Sequence, residues 1–278
     1  MVKSLLVTLQ ALARRLAPLL VALLVSSRAY AEGQEPDPST PAPGEAKSGA
    51  EDRRTTAHFL GNLGRNTIRV SSRDNLKPLV LGAALTGVST AFDDDVADYF
   101  GETRRAKWWG DAVDVEGQPY VIVPLASVLY LAGRLSPTHK RFQDATYDIA
   151  QATIVEAVYS TAIKYSTHRL RPDGSNYLSF PSGHTANAFA WATVAAHYYG
   201  PKVAVPAYLV AGLVGVGRLE KNVHYLSDVV AGATLGILVG RSVVRKDAAA
   251  PGRAPRVSMA PSRDVYGTGM GLALSVEF

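Results

Sequence analysis

The 278-residue chain contains no cysteine, which excludes a disulfide-stapled scaffold, a thiolate metal centre and a cysteine nucleophile. Charge is sparse, with 19% Asp, Glu, Lys and Arg against 47% apolar residues. Long uninterrupted apolar runs are missing too. The uncharged stretches Pro78 to Phe92, Pro119 to Gly133 and Val203 to Gly217 are each about fifteen residues, short of the ~20 that a helix needs to cross a bilayer. Period-two alternation is absent until the last residues, so a mainly β fold is excluded as well.

The basic surplus is local. The formal charge is +5, but residues 1–31 carry Lys3, Arg14, Arg15 and Arg28 and no acid, so the remaining 247 residues carry only +1. A body so close to neutral lacks the footprint of a nucleic-acid binder, and no such partner is expected. The leading segment has a basic start through Arg15, an apolar run from Leu16 to Val25 and a small-x-small site at Ala29-Tyr30-Ala31, the layout of a secretory signal peptide. An uncleaved anchor is the alternative, since Leu5 to Leu12 is also largely apolar. Residues 32–56 gather Pro36, Pro38, Pro41 and Pro43 among Glu, Gly, Ser and Ala; such a stretch has too little apolar surface to fold and is expected to be a disordered linker.

From 57 to 245 the apolar residues come in helical blocks, near 78–92, 119–134, 144–170, 184–199, 203–218 and 224–243. They predict an all-α bundle of about six core helices. Residues 246–278 read as a linker followed by a short C-terminal β-strand or hairpin. There Leu272, Leu274, Val276 and Phe278 alternate with Ala273, Ser275 and Glu277, with Val257 to Ala260 as the candidate partner. The glycines at 267, 269 and 271 follow no strand and open no helix, so they are not read as a nucleotide loop. Asp148, Glu156 and Lys164 fall within the third block, which favours a soluble or surface-attached periplasmic body. A membrane-integral bundle is the alternative, supported by Arg134, Lys140, Arg141, Arg241 and Arg245 at positions that suit cytoplasmic loops.

Three stretches combine phosphate-binding cations with histidines at element boundaries. The first runs from Lys164 to Pro172. Lys164 and Arg171 are nearly two helical turns apart and so are expected on one face, with Pro172 ending the helix. The second is Pro181-Ser182-Gly183-His184. A serine and a glycine just before a helix present backbone N–H groups at its positive end, where an anion binds readily, and Gly183 lets that backbone come close. The third contains Arg218, His224 and Asp228. If His224 and Asp228 share a helical face, the carboxylate holds the imidazole Nδ1 proton and leaves Nε2 reactive. Each stretch alone has an ordinary explanation: a basic helix end, a serine cap, a surface ion pair.

Together, Lys164…Arg171-Pro172, Pro181-Ser182-Gly183-His184 and Arg218…His224…Asp228 resemble, in order and spacing, the motifs of the type 2 phosphatidic acid phosphatase superfamily. That superfamily also takes in bacterial acid phosphatases and vanadium-dependent haloperoxidases. The resemblance covers about 164 to 228 and departs at Gly217, where serine is usual. It implies that Lys164, Arg171 and Arg218, aided by Ser182 and the Gly183 backbone, hold the phosphoryl oxygens. His224 would attack phosphorus, His184 would protonate the leaving oxygen and Asp228 would orient His224. It implies no metal or other cofactor, with vanadate binding as a phosphate mimic. The expected activity is hydrolysis of phosphate monoesters or diphosphates, with a haloperoxidase or a non-catalytic envelope interaction protein as alternatives. Phosphatidate, isoprenyl diphosphate, a lipid A phosphate and small soluble esters stand as candidate substrates. A membrane surface is a possible partner, and oligomeric state has no sequence signal.

Other residues are expected to do less. His58, His139 and His197 are read as surface or packing histidines, and His168 and Arg169 as lining the pocket mouth. Asp93-Asp94-Asp95 with Asp98 is read as a solvated helix start rather than a metal cluster. Tyr99, Phe100, Trp108 and Trp109 either contact lipid or pack.

Overall fold

A computed structural model describes residues 54–103, 108–111, 118–136 and 138–244, and the backbone of 256–263 and 270–277. The expected signal peptide and the linker up to residue 53 lie outside the described residues, as does most of the second linker. Among the described residues, eight α-helices of eleven residues or more follow in order: α1 Phe59–Val70, α2 Leu76–Ser89, α3 Asp93–Thr103, α4 Pro119–Arg134, α5 Lys140–Thr167, α6 Gly183–Tyr199, α7 Pro201–Glu220 and α8 Leu226–Val244. The strands β1 Arg256–Arg263 and β2 Met270–Glu277 pair antiparallel, Val257 opposite Val276 and Met259 opposite Leu274. The all-α bundle predicted from the apolar blocks is borne out, with α1 and α3 added to the six expected helices.

Several boundaries follow from single residues. Pro119 and Pro201 open α4 and α7 at positions where the missing N–H costs nothing, and Gly200 supplies the turn before α7 at φ 73°. The end of α5 differs from expectation. It stops at Thr167, not at Pro172, because His168 adopts the left-handed conformation (φ 47°, ψ 44°) and its N–H closes the last turn on Lys164 O at 3.0 Å. Arg171 therefore belongs to a loop and does not share a helical face with Lys164.

At the centre is α8, packed on α6, α2, α5 and α1. Its contact with α6 is unusually close. Gly232, Gly236 and Gly240, spaced four apart, lie over Ser182 O, Ala186 O and the Ala190–Thr193 turn, with no room for a Cβ. The core around them is small-residue: Ala152, Val155, Ala186, Ala190, Val194, Leu235, Leu238 and Val239. α6 and α8 run parallel, and α2, α5 and α7 finish at the end where α3, α6 and α8 begin. The opposite end is tied by Arg54, which donates to both Asp148 carboxylate oxygens, by Tyr198 Oη to Asp148 at 2.6 Å, and by Asn75 to Ser242 Oγ at 2.9 Å.

The bundle wears its apolar residues outside as well. Leu81, Leu85 and Val88 on α2, Tyr120, Val123, Val128 and Leu131 on α4, and Val205, Leu209, Leu213 and Val216 on α7 form exposed stripes at helical spacing. Both α7 and α8 are long and apolar enough to cross a membrane, each with a mean hydropathy of 1.4.

Adding a side chain at the α6–α8 contact must push two backbones apart, which typically costs about 1–3 kcal/mol. Gly236→Val is therefore expected to lower the melting temperature clearly. Gly87→Ala on the open face of α2, where a Cβ meets nothing, should leave it unchanged or raise it slightly. Thermal unfolding of the purified protein in one detergent compares the two.

Candidate active site

Three helix amino termini, those of α3, α6 and α8, meet the carboxyl ends of α5 and α7 at one end of the bundle. Backbone N–H groups and the positive ends of helix dipoles are thus gathered in one place. From α5, Lys164 reaches into this region and donates to Leu178 O and Pro181 O, both at 2.7 Å. Those bonds fix the loop that leads into α6. Arg171 sits at the base of a tight turn in the same loop, its N–H donating to Asn176 O and its carbonyl accepting from Gly174 N–H, both at 3.0 Å. Arg218 comes from the last turn of α7 and is buried. Lys164, Arg171 and Arg218 lie close enough to repel one another, an arrangement that favours an anion among them.

Ser182 precedes α6 in extended conformation, but its hydroxyl does not cap the helix. It pairs with Thr185 Oγ1 at 2.9 Å, while its N–H donates to Asp228 O at 3.0 Å. The ordinary explanation, a serine cap, therefore does not apply: the side chain is spent on Thr185, and the first-turn backbone donors of α6 are left uncapped by it, as the anion-site reading expects. Gly183 opens the helix against α5, where a Cβ would come within 3.2 Å of Ser160 Oγ and within 3.9 Å of Lys164 Cε. Its lack of a side chain is needed for this packing as much as for an anion's approach. His184 follows as the second helical residue, half-buried.

His224 and Asp228 are not on one helical face, because α8 begins only at Leu226. A turn through Asn222, at φ 56°, instead folds the chain so that His224 Nδ1 stands 3.6 Å from Asp228 Oδ2. That is ion-pairing distance, too long for the expected hydrogen bond. The carboxylate is occupied elsewhere. Oδ2 accepts from Tyr225 N–H at 2.8 Å and Ser179 Oγ at 2.5 Å, and Oδ1 from Arg169 Nη1 at 2.7 Å. The bond to Tyr225 is the backward half of a capping box at the start of α8.

His224 is 2% exposed. Burial pulls its pKa down from 6.5 to about 4, helped by the positive charges of Lys164 and Arg218 and opposed by Asp228. The ring is neutral at neutral pH, the form a nucleophile or base requires.

The structure therefore gathers Lys164, Ser182, Gly183, Arg218, His224 and Asp228 at one end of the bundle, with Arg171 in the adjoining loop and His184 in the first turn of α6. Three participants were not assigned a place at the centre by the sequence. Arg169, expected at the mouth, bridges two carboxylates and lies 4.1 Å from the Tyr225 ring centroid. Ser179 serves Asp228. Asp93, expected to be solvated, is 4% exposed and accepts from Ser227 and Arg169; Asp94, Asp95 and Asp98 do remain exposed. Local sequence held no signal for Asp93, since its partner Ser227 is 134 residues away.

Residues 146–249 match the PAP2 superfamily, and the resemblance carried by the three motifs is borne out. Over 80 residues the chain is 52% identical to the lipid A 1-phosphatase of Porphyromonas gingivalis, a stretch that covers 28% of this chain and 18% of that protein. Over 99 residues it is 31% identical to phosphatidylglycerophosphatase B of Bacillus subtilis, covering 30% of this chain and 49% of that one. The chain thus spans less than half the length of either curated relative. Among solved structures it is similar to a transmembrane PAP2 type phosphatidylglycerolphosphate phosphatase from Bacillus subtilis, at 23% identity and a TM-score of 0.49, over 60% of this chain and 90% of that one.

If His224 is the group that must be neutral, kcat/KM should show no acidic limb above about pH 5. It should then fall through a midpoint near 4, where the imidazole takes up a proton. A midpoint near 6.5, measured as phosphate release against pH, would show an exposed, ordinary histidine in that role.

Proposed function

We propose that this chain is a membrane-integral phosphatase that hydrolyses phosphate esters or diphosphates of lipids through a phosphohistidine on His224. The observation that carries the reading is a buried imidazole, His224, set among Lys164, Arg218 and Asp228. Nε2 of His224 attacks phosphorus in line, while His184 gives its proton to the departing oxygen. Lys164, Arg171, Arg218 and the first-turn amides of α6 stabilise the charge that builds on the equatorial oxygens. His184, now neutral, takes a proton from water; the hydroxide displaces His224 from phosphorus and phosphate leaves. Vanadate, which adopts the same five-coordinate geometry, is expected to occupy the cradle as an inhibitor. Both curated relatives described above are named phosphatases, so the haloperoxidase alternative is not favoured.

Two features support a membrane location. The outward stripes on α2, α4 and α7 leave large apolar side chains exposed on three helices, which suits contact with lipid. The charges also sort by end. Arg54, Arg69, Arg73, Lys77, Arg134, Lys140, Arg141 and Arg241 lie away from the site with few acids among them, a bias that supports a cytoplasmic side for that end and an outer side for the site. Tyr165, Tyr177 and Trp108, all exposed near the site end, suit the headgroup level at which a lipid phosphate is presented.

The protein should stay with membranes through a high-pH wash, leave with detergent, and then release phosphate from a lipid phosphate in mixed micelles. His224→Ala should reduce that release by at least about a thousandfold, and micromolar-range vanadate should inhibit the parent. Release into the aqueous wash would overturn the membrane reading, and full activity in His224→Ala the enzymatic one.

A further inference from the structure

Resting on the phosphatase reading above, we infer that Asp93, on a helix outside the segment that matches the family, is a positioning residue for the reaction and acts through Arg169 and Asp228. Asp93 opens α3 and is buried. Its Oδ1 accepts Ser227 N–H at 2.8 Å, and so caps the first turn of α8 from another helix. Its Oδ2 accepts Ser227 Oγ at 2.6 Å and Arg169 Nη2 at 2.7 Å. The other nitrogen of the same guanidinium donates to Asp228 Oδ1 and to Ser227 Oγ, both at 2.7 Å, and its carbon lies over the Tyr225 ring. Arg169 is thus pinned on three sides.

The consequence concerns Asp228. The last torsion of a carboxylate is broad and roughly two-fold, so its angle is set by what its two oxygens accept. Here Oδ2, the oxygen nearest His224 Nδ1, is held by Tyr225 N–H and Ser179 Oγ, and among the described residues Oδ1 is held by Arg169 alone. Without Asp93 the guanidinium has one carboxylate instead of two, and Asp228 becomes its single anionic partner in this cluster. The angle at which Asp228 presents Oδ2 to the imidazole then depends on a looser Arg169. Asp93 touches none of the cations of the phosphate cradle, so substrate binding should be spared while the attack step suffers.

Asp93→Asn isolates this effect. The amide can still cap α8 with its oxygen, but its NH2 faces Arg169, donor against donor. In detergent, kcat on a lipid phosphate should fall roughly tenfold or more, with KM and competitive inhibition by inorganic phosphate unchanged within about threefold. Arg169→Gln should lose a similar factor. In that background Asp93→Asn should cost less than about a further twofold, since the two act as one unit. Independent multiplication of the two losses, a rise in KM with kcat intact, or a kcat within twofold of the parent would each overturn the role. If Asp93→Asn shows no cooperative melt, the kcat of Arg169→Gln alone decides in the same way. An inactive parent refutes the phosphatase reading, not this geometry. The geometry is then read from the His224 ring in histidine-labelled protein by NMR. Loss of the Arg169 charge from Asp228 should move the ring's titration midpoint up by at least about half a pH unit, and an unmoved midpoint would end the proposal.

Discussion

The site is organised around one buried carboxylate. Asp228 accepts from the backbone of Tyr225, so it starts α8; from Ser179, so it anchors the loop after α5; and from Arg169, so it holds the end of the first motif. Its carbonyl takes the N–H of Ser182, which sets where α6 begins. Removing one partner of a buried pair of this kind generally costs ~3–5 kcal/mol, because the other charge is left without compensation. The residue that the motif presents as an orienter for histidine is therefore also the knot that joins three motifs. A loss of activity on replacing it would not separate the two roles.

A knot of this sort works only if the helices it joins arrive at the same level, and that is set lower in the bundle. The face of α8 carrying Gly232, Gly236 and Gly240 lets it lie directly on the α6 backbone. At the top of that contact Gly232 meets Ser182 O, and the Ser182 N–H to Asp228 O bond completes the fixing of the first residues of α6 against those of α8. Small residues serve well here because dispersion at short range needs no directional partner.

The bundle and its three motifs were legible because they are local. Alanine-rich blocks declare helices, and Lys164, His184, Arg218 and His224 stand at spacings that turn and helix chemistry explain. What escaped was non-local or depended on a single dihedral angle. The left-handed His168 ends α5 one turn early, and the proline four residues later gave a stronger but misleading signal. α1 escaped because Gly61, Asn62, Gly64 and Asn66 lower its apolar content and helix propensity, although its few apolar residues recur at helical spacing; it is held by Asn62 and Asn66 bonding to Tyr147 and Gln151 of α5. The aspartate run at 93 looked like an ordinary helix start, and in part it is. Only the approach of α8 singles out its first member.

The charges within α5 reverse their meaning once direction is known. Along the sequence, Asp148, Glu156 and Lys164 interrupt an apolar block and argue against a span. In the structure Asp148 is sealed by Arg54 and Tyr198, Glu156 is buried beside Ser160 and Gly183, and Lys164 turns into the site. None of the three needs to meet lipid. An inward polar seam with outward apolar stripes inverts the pattern of a water-soluble helix, and it is the arrangement that a low-dielectric surrounding selects, since ionisable groups there survive only when they face one another or a cavity. The hydropathy of α5 falls because its interior is functional, so averaging over the whole helix conceals a surface that is compatible with a bilayer.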